Sequence, residues 1–130
     1  MSSPSPNKIK PPPSVLEGPG FCRIEFIPER KFQGWQGILH GGIIFTLLDE
    51  AFAHALGGSA RAAGEAAVTA EMMVRFKKPA RIGRKVIVEG RVIGEKARVI
   101  ECESVMRDES GQELASASGK LIKIKPAAIR

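Results

Sequence analysis

The stretch Gly37-Ile38-Leu39-His40-Gly41-Gly42 runs into an apolar segment, residues 43–56, whose first acidic residue is Asp49. Adjacent glycines at a helix start let another molecule approach the backbone, and the free N–H groups there, with the helix dipole, favour a developing negative charge. That is the description of an oxyanion hole. An ionised carboxylate within an apolar helix is costly unless it is paired or used, and hydrophobic surroundings should push its pKa up toward the range of a general base. Two plainer readings compete: Gly41-Gly42 serve only close helix-sheet contact, and Asp49 faces solvent or bonds to a neighbouring strand. Glu50 precedes His54 by four residues, and an i,i+4 pair accounts for both. His40 and His54 have no third ligand at a suitable spacing, so no metal site is expected.

These residues need elements to hold them. Residues 21–27 alternate apolar and polar side chains before Pro28, which predicts a first strand. A glycine-containing loop, residues 32–37, leads to a helix over residues 43–56 that Gly57-Gly58 stops. Only Thr46, Asp49, Glu50 and His54 interrupt its apolar run, so the helix should be enclosed on most sides. In the strand expected at residues 68–76, a period of two places Val68, Ala70, Met72, Val74 and Phe76 on one face and Thr69, Glu71, Met73 and Arg75 on the other. Residues 85–94 and 97–107 read as two strands joined by a hairpin at Gly94-Glu95-Lys96, and residues 112–125 as a last strand after the turn Asp108-Glu109-Ser110-Gly111. A strand, a long helix and four more strands make an α+β domain with an antiparallel sheet.

A chain of 130 residues with 43% hydrophobic and 26% charged residues suits one domain. Prolines at positions 4, 6, 11, 12, 13 and 19 mark residues 1 to about 20 as a flexible tail, leaving residues 21–130 as the domain. Neither a signal-peptide core nor an apolar run of membrane-spanning length is present, so a cytoplasmic protein without a membrane partner is expected. Cys22 and Cys102 read as free thiols in a reducing compartment. The net charge of +6 fits an anionic small molecule better than nucleic acid, because aromatics make up only 5% and the basic residues are scattered.

The combined pattern is specific: Gly37-x-x-His40-Gly41-Gly42, then Asp49-Glu50, then Val68-Thr69-Ala70 leading to Phe76-x-x-Pro79 resembles the hotdog-fold acyl-CoA thioesterases over residues 21–125. The nearest type is the phenylacetate-pathway (PaaI-like) group, which also resembles the human thioesterase superfamily members. The resemblance implies a long central helix wrapped by a curved antiparallel sheet, a homodimer or dimer of dimers with sites at the dimer interface, and coenzyme A only as part of the substrate. It implies that the Gly41 N–H polarises the thioester carbonyl and that Asp49 attacks it or activates a water. His40 would fix the loop, and the Thr69 hydroxyl would position the water. Many relatives carry Asn or Gln six residues before the His, where this chain has Gly34; Gln33 or Gln36 would have to substitute. Gly42 and Glu50 are further candidate substrate contacts, and Arg75, Lys77, Lys78, Arg81 and Arg84 are candidates for the phosphate end of coenzyme A, with plain surface charge as the alternative. Leu47, Leu48, Phe52, Met72 and Met73 make either an apolar tunnel or, more safely, core. A non-catalytic acyl-CoA-binding module of the same fold is the competing functional class. A hotdog dehydratase is disfavoured, since no second His stands near the carboxylate.

Overall fold

The computed structural model describes residues 14–57 and 66–124. They form β1 (Ser14–Gly18), β2 (Phe21–Phe26), a 3-10 turn (Arg30–Phe32), α1 (Gly41–Ala55), β3 (Ala66–Phe76), β4 (Val86–Lys96), β5 (Val99–Asp108) and β6 (Glu113–Ile124). All neighbouring strands pair antiparallel in one sheet of order β1-β2-β4-β5-β6-β3, and α1 lies across one face, resting chiefly on β4. The α+β arrangement expected from the sequence is present. Among the described residues, no helix is long and apolar enough to cross a membrane.

Helix and sheet meet unusually closely because the sheet has no side chain at the crossing. A Cβ placed on Gly90 of β4 would stand 2.4 Å from the Ala51 carbonyl oxygen, and one on Gly119 of β6 would meet the Phe52 ring at 2.7 Å. Two small polar side chains then reach the helix backbone: Cys22 Sγ donates to the Ala51 carbonyl at 3.1 Å, and Ser104 Oγ donates to the Leu48 carbonyl at 3.0 Å. The second bond satisfies Ser104, the one buried polar residue among those described. Around these contacts Leu48, Phe52, Val86, Val88, Met106 and Leu121 are fully buried, each worth about 1.5–3 kcal/mol of transfer free energy. Leu48 and Phe52 are therefore core, Leu47 and Met72 pack partly against it, and Met73 lies 58% exposed.

Four expectations need correction. Residues 14–18, assigned to the tail, form β1, because Ser14 to Gly18 pair with Glu25 to Phe21 and extend the sheet beyond β2; residues 1–13 lie outside the described set. The β4-β5 hairpin turns at Ala97-Arg98, not at Gly94: the register slips between Val92 and Gly94, so an extra residue is absorbed inside β4 and Ala97 takes the left-handed conformation at φ 55°. The helix is enclosed on one side only. Ile44, Leu48, Ala51, Phe52 and Ala55 are buried, while Thr46 and Glu50 are exposed and Phe45 is 42% exposed.

The fourth correction concerns β3. Its register with β6 slips between Thr69 and Glu71, which makes Ala70 the extra residue of a β-bulge. Met72 and Val74 pack on the core as the period of two requires. Beyond the bulge the parity reverses, so Thr69, opposite buried Leu121, faces the helix, and Val68, opposite exposed Ile122, faces outward.

The close crossing predicts that Gly90→Ala destabilises the domain by about 1–3 kcal/mol through overpacking, read as a lower denaturation midpoint. Burial pushes the thiols of Cys22 and Cys102 up to about 11. Since the thiolate is the reactive form, neither should react with a thiol reagent at pH 8 in the folded protein, and both should react once it is unfolded.

Candidate active site

The first turn of α1 commits nearly all of its N–H groups. His40 is the N-cap, in an extended conformation, and its Nδ1 accepts the Gly42 N–H at 2.8 Å. An accepting Nδ1 leaves the ring proton of neutral histidine on Nε2. The His40 carbonyl accepts the Ile43 and Ile44 N–H groups at 3.0 and 3.2 Å. Among the described residues only the Gly41 N–H of this turn is left without an acceptor, and it is exposed at the positive end of the helix. Gly42, by contrast, spends its N–H on His40, and a Cβ there would stand 3.0 Å from the imidazole, so its role is to admit the cap. Gly34 has a related part: a Cβ on it would meet His40 Cα and Cδ2 at 3.4 Å, so the absence of a side chain leaves room for His40 close to the loop.

Two turns along the helix, the Thr69 hydroxyl donates to Asp49 Oδ1 at 2.7 Å. The β3 bulge makes this possible by turning Thr69 toward the helix. Asp49 is half-buried, not enclosed, and its Oδ2 has no hydrogen-bond partner among the described residues. The carboxylate is thus oriented by one oxygen and open at the other. The Gly41 N–H and Asp49 are eight residues apart, which at 1.5 Å per residue separates them by roughly 12 Å along the axis.

The remaining expected site residues divide. Gln33 Oε1 accepts the Gly37 N–H at 3.1 Å and braces the loop, while Gln36 lines a hollow of about 510 Å³ with Arg30, Gln33, Gly37 and Ile82. Glu50 lies 3.7 Å from His54 Nε2, as the i,i+4 spacing suggests, and His54 Nδ1 contacts Glu17 of β1. Glu17 fell within the supposed tail and was missed; the β-branched and apolar pair Val15-Leu16 before the Pro19-Gly20 turn was the available signal. Lys77 pairs with Glu113, and Lys78 and Arg81 are exposed near the loop, with Arg81 bridged to Ile38. Arg75 stands apart. It sits on the sheet face opposite the helix, bordering a hollow of about 530 Å³ with Glu89, Arg91 and Glu103, away from Asp49. A further hollow of about 630 Å³ is lined by Gly34, Trp35, Ile38, Leu39, His40 and Gly41, and so borders the start of α1. Trp35 was not singled out from the sequence.

Comparison with known proteins bears on the fold and the family. Two archaeal proteins, each bearing the name "Putative esterase", match the chain: that of Saccharolobus solfataricus is 33% identical over 100 residues, covering 77% of this chain and 65% of its own length. That of Archaeoglobus fulgidus is 24% identical, covering 81% of this chain and 66% of its own. The chain therefore spans about two thirds of these relatives. Among solved structures, the Streptococcus mutans protein smu.793, bound to acetyl CoA, superposes with a TM-score of 0.77 at 20% identity, covering 88% of this chain and 90% of that one. The Escherichia coli PaaI protein of the phenylacetic acid degradation operon gives 0.75 at 20% identity, covering 85% and 82%. These likenesses establish the hotdog fold, one long helix against a curved antiparallel sheet. The sequence model of the thioesterase superfamily matches residues 36–115, from the loop before α1 into β6. The chain belongs to the thioesterase superfamily.

Proposed function

We propose that the protein hydrolyses acyl-CoA, or acyl-carrier, thioesters, with Asp49 as general base and the Gly41 N–H as oxyanion donor. The observation that carries this reading is the occurrence on one helix of an uncommitted helix-start N–H and a half-buried, Thr69-oriented carboxylate with one open oxygen. A water on the free Oδ2 gives its proton to Asp49 while its oxygen adds to the thioester carbonyl. The negative charge that develops on the carbonyl oxygen is held by the Gly41 N–H. Collapse of the tetrahedral species breaks the C–S bond, and the leaving thiolate takes up the proton, so acid and thiol are released and Asp49 is regenerated. A thiolate leaves readily, which is why a base and a cradle suffice. The acetyl CoA bound to smu.793 supports a coenzyme A thioester as the substrate class.

The roughly 12 Å between Gly41 and Asp49 is too far for one carbonyl to meet both, since a reacting atom must lie within about 3 Å of each. A second copy of the chain resolves this. Midway between Gly41 and Asp49 is Phe45, exposed on the open face of α1. On β3, Thr69 touches Asp49, and Phe76 abuts Gly41, since a Cβ there would meet its ring at 3.6 Å. The midpoint of that pair falls between Met72 and Met73. Strand β3 is also an edge of the sheet. A two-fold axis through Phe45 and the middle of β3 would pair the two β3 edges antiparallel and set each Asp49 against the partner's Gly41. The strand midpoint agrees with the helix midpoint because the two elements touch at both ends of this stretch, and an isologous dimer in a cytoplasmic setting is part of the proposal.

Thiol release from a panel of short, long and aromatic acyl-CoAs tests the activity. Asp49→Asn should lower kcat by about 10²–10⁴-fold, and Thr69→Val by a smaller factor. Gly41→Pro should lower kcat by about 10²-fold or more while folding normally, because proline suits the first helical position and His40 is already extended at ψ 135°. If every acyl-CoA stabilises the protein thermally but none turns over faster than with Asp49→Asn, the chain is a binding module and not a hydrolase.

A further inference from the structure

Trp35 is 84% exposed, the most exposed of the large hydrophobic side chains described. An indole held in water forgoes a large burial term, so its position calls for a partner. The loop that carries it is tightly built. Gly34 N–H donates to the Ile38 carbonyl and Ile38 N–H to the Trp35 carbonyl, both at 2.9 Å, Gly37 N–H is held by Gln33, and Leu39 N–H and Ile82 N–H tie the loop to the segment after β3 at 2.8 and 3.0 Å. The ring is therefore presented on a fixed turn and not on a wandering one.

Its surroundings indicate what it meets. Trp35 lines the 630 Å³ hollow together with Gly41, the residue that carries the free N–H. The same loop borders the 510 Å³ hollow with Arg30, and Arg81 is bridged to Ile38. Neither arginine side chain has an ion-pair partner among the described residues. Anion-seeking groups, an apolar ring and an oxyanion donor gathered on one loop match the parts of a coenzyme A thioester: phosphates, pantetheine arm and carbonyl.

We propose that Trp35 is a substrate-contact residue whose indole packs against the pantetheine arm as it leaves the carbonyl at Gly41. This rests on the reading of the chain as an acyl-CoA hydrolase, but it makes a separate prediction about binding. Trp35 is the sole tryptophan and the chain has no tyrosine, so intrinsic fluorescence reports position 35 alone.

The test is a fluorescence titration of the full chain with an acyl-CoA, with S-acyl pantetheine and with adenosine 3′,5′-bisphosphate, alongside steady-state kinetics. The expected result is a saturable emission change with the first two and none with the nucleotide fragment. Trp35→Ala should raise KM about tenfold with kcat within about threefold, and Trp35→Phe should restore most of the loss. The inference is overturned if emission is unchanged at concentrations that saturate turnover, or if Trp35→Ala leaves KM unaltered. It is likewise overturned if the indole of the ligand-free protein is already shielded from acrylamide, which would mean that a second copy covers it. A saturable emission change in a protein that hydrolyses nothing would uphold the contact and defeat the hydrolase reading; turnover with a silent Trp35 would do the reverse.

Discussion

Along α1 the Gly41 N–H and the Asp49 carboxylate are fixed eight residues apart, and neither can approach the other without unwinding the helix between them. That separation governs how the remaining features are to be understood. A helix start with one uncommitted donor is a ready place for negative charge, and a carboxylate held by one oxygen is a ready base, but within a single chain they cannot serve one carbonyl. In the proposed dimer, the open helix face and the edge of β3, which has no strand beyond it among the described residues, would be the surfaces across which a second chain supplies the missing half.

The sheet exists in this form because it must hold α1 at one depth and one rotation. Gly90 and Gly119 let the helix backbone come down onto the strands, and Cys22 and Ser104 fasten it there through the Ala51 and Leu48 carbonyls. Sinking Leu48 and Phe52 into the core leaves the opposite side of the helix, with Phe45 and Glu50, toward solvent and Asp49 at its margin. The β3 bulge adds the final adjustment, since without the parity change Thr69 would point away from the carboxylate it orients. Core packing and site geometry are thus one problem for this chain, solved by the same few residues.

Much of this was legible in the sequence. The glycine pair, the acid within an apolar run and the alternating segments pointed to the helix, the antiparallel sheet and the candidates Gly41 and Asp49 from local patterns, while Thr69 entered only through the family resemblance. What stayed hidden depends on contacts distant in the chain. A bulge leaves strict alternation in the sequence while reversing it in space, so Thr69 was placed on the wrong face of β3 by periodicity, although its resemblance-derived role kept it in the site. Strand β1 was masked by the prolines around it, which say nothing of the partner strand that orders residues 14–18. The enclosure of α1 was overestimated because hydrophobicity marks a surface to be covered without saying whether the same chain covers it. Gly34 reads as a lost amide in sequence and as room for the His40 ring in space.

The division of the site between two chains is open to a direct measurement. Gly41→Pro and Asp49→Asn chains, carrying different affinity tags, can be produced together and the mixed species isolated by purifying on both tags in turn. Each variant alone should be inactive. The mixed dimer should regain about half of wild-type turnover, because one of its two sites would receive the intact Gly41 from one chain and the intact Asp49 from the other. A mixed dimer as inactive as either parent would contradict a shared site and place donor and carboxylate in the service of different functions.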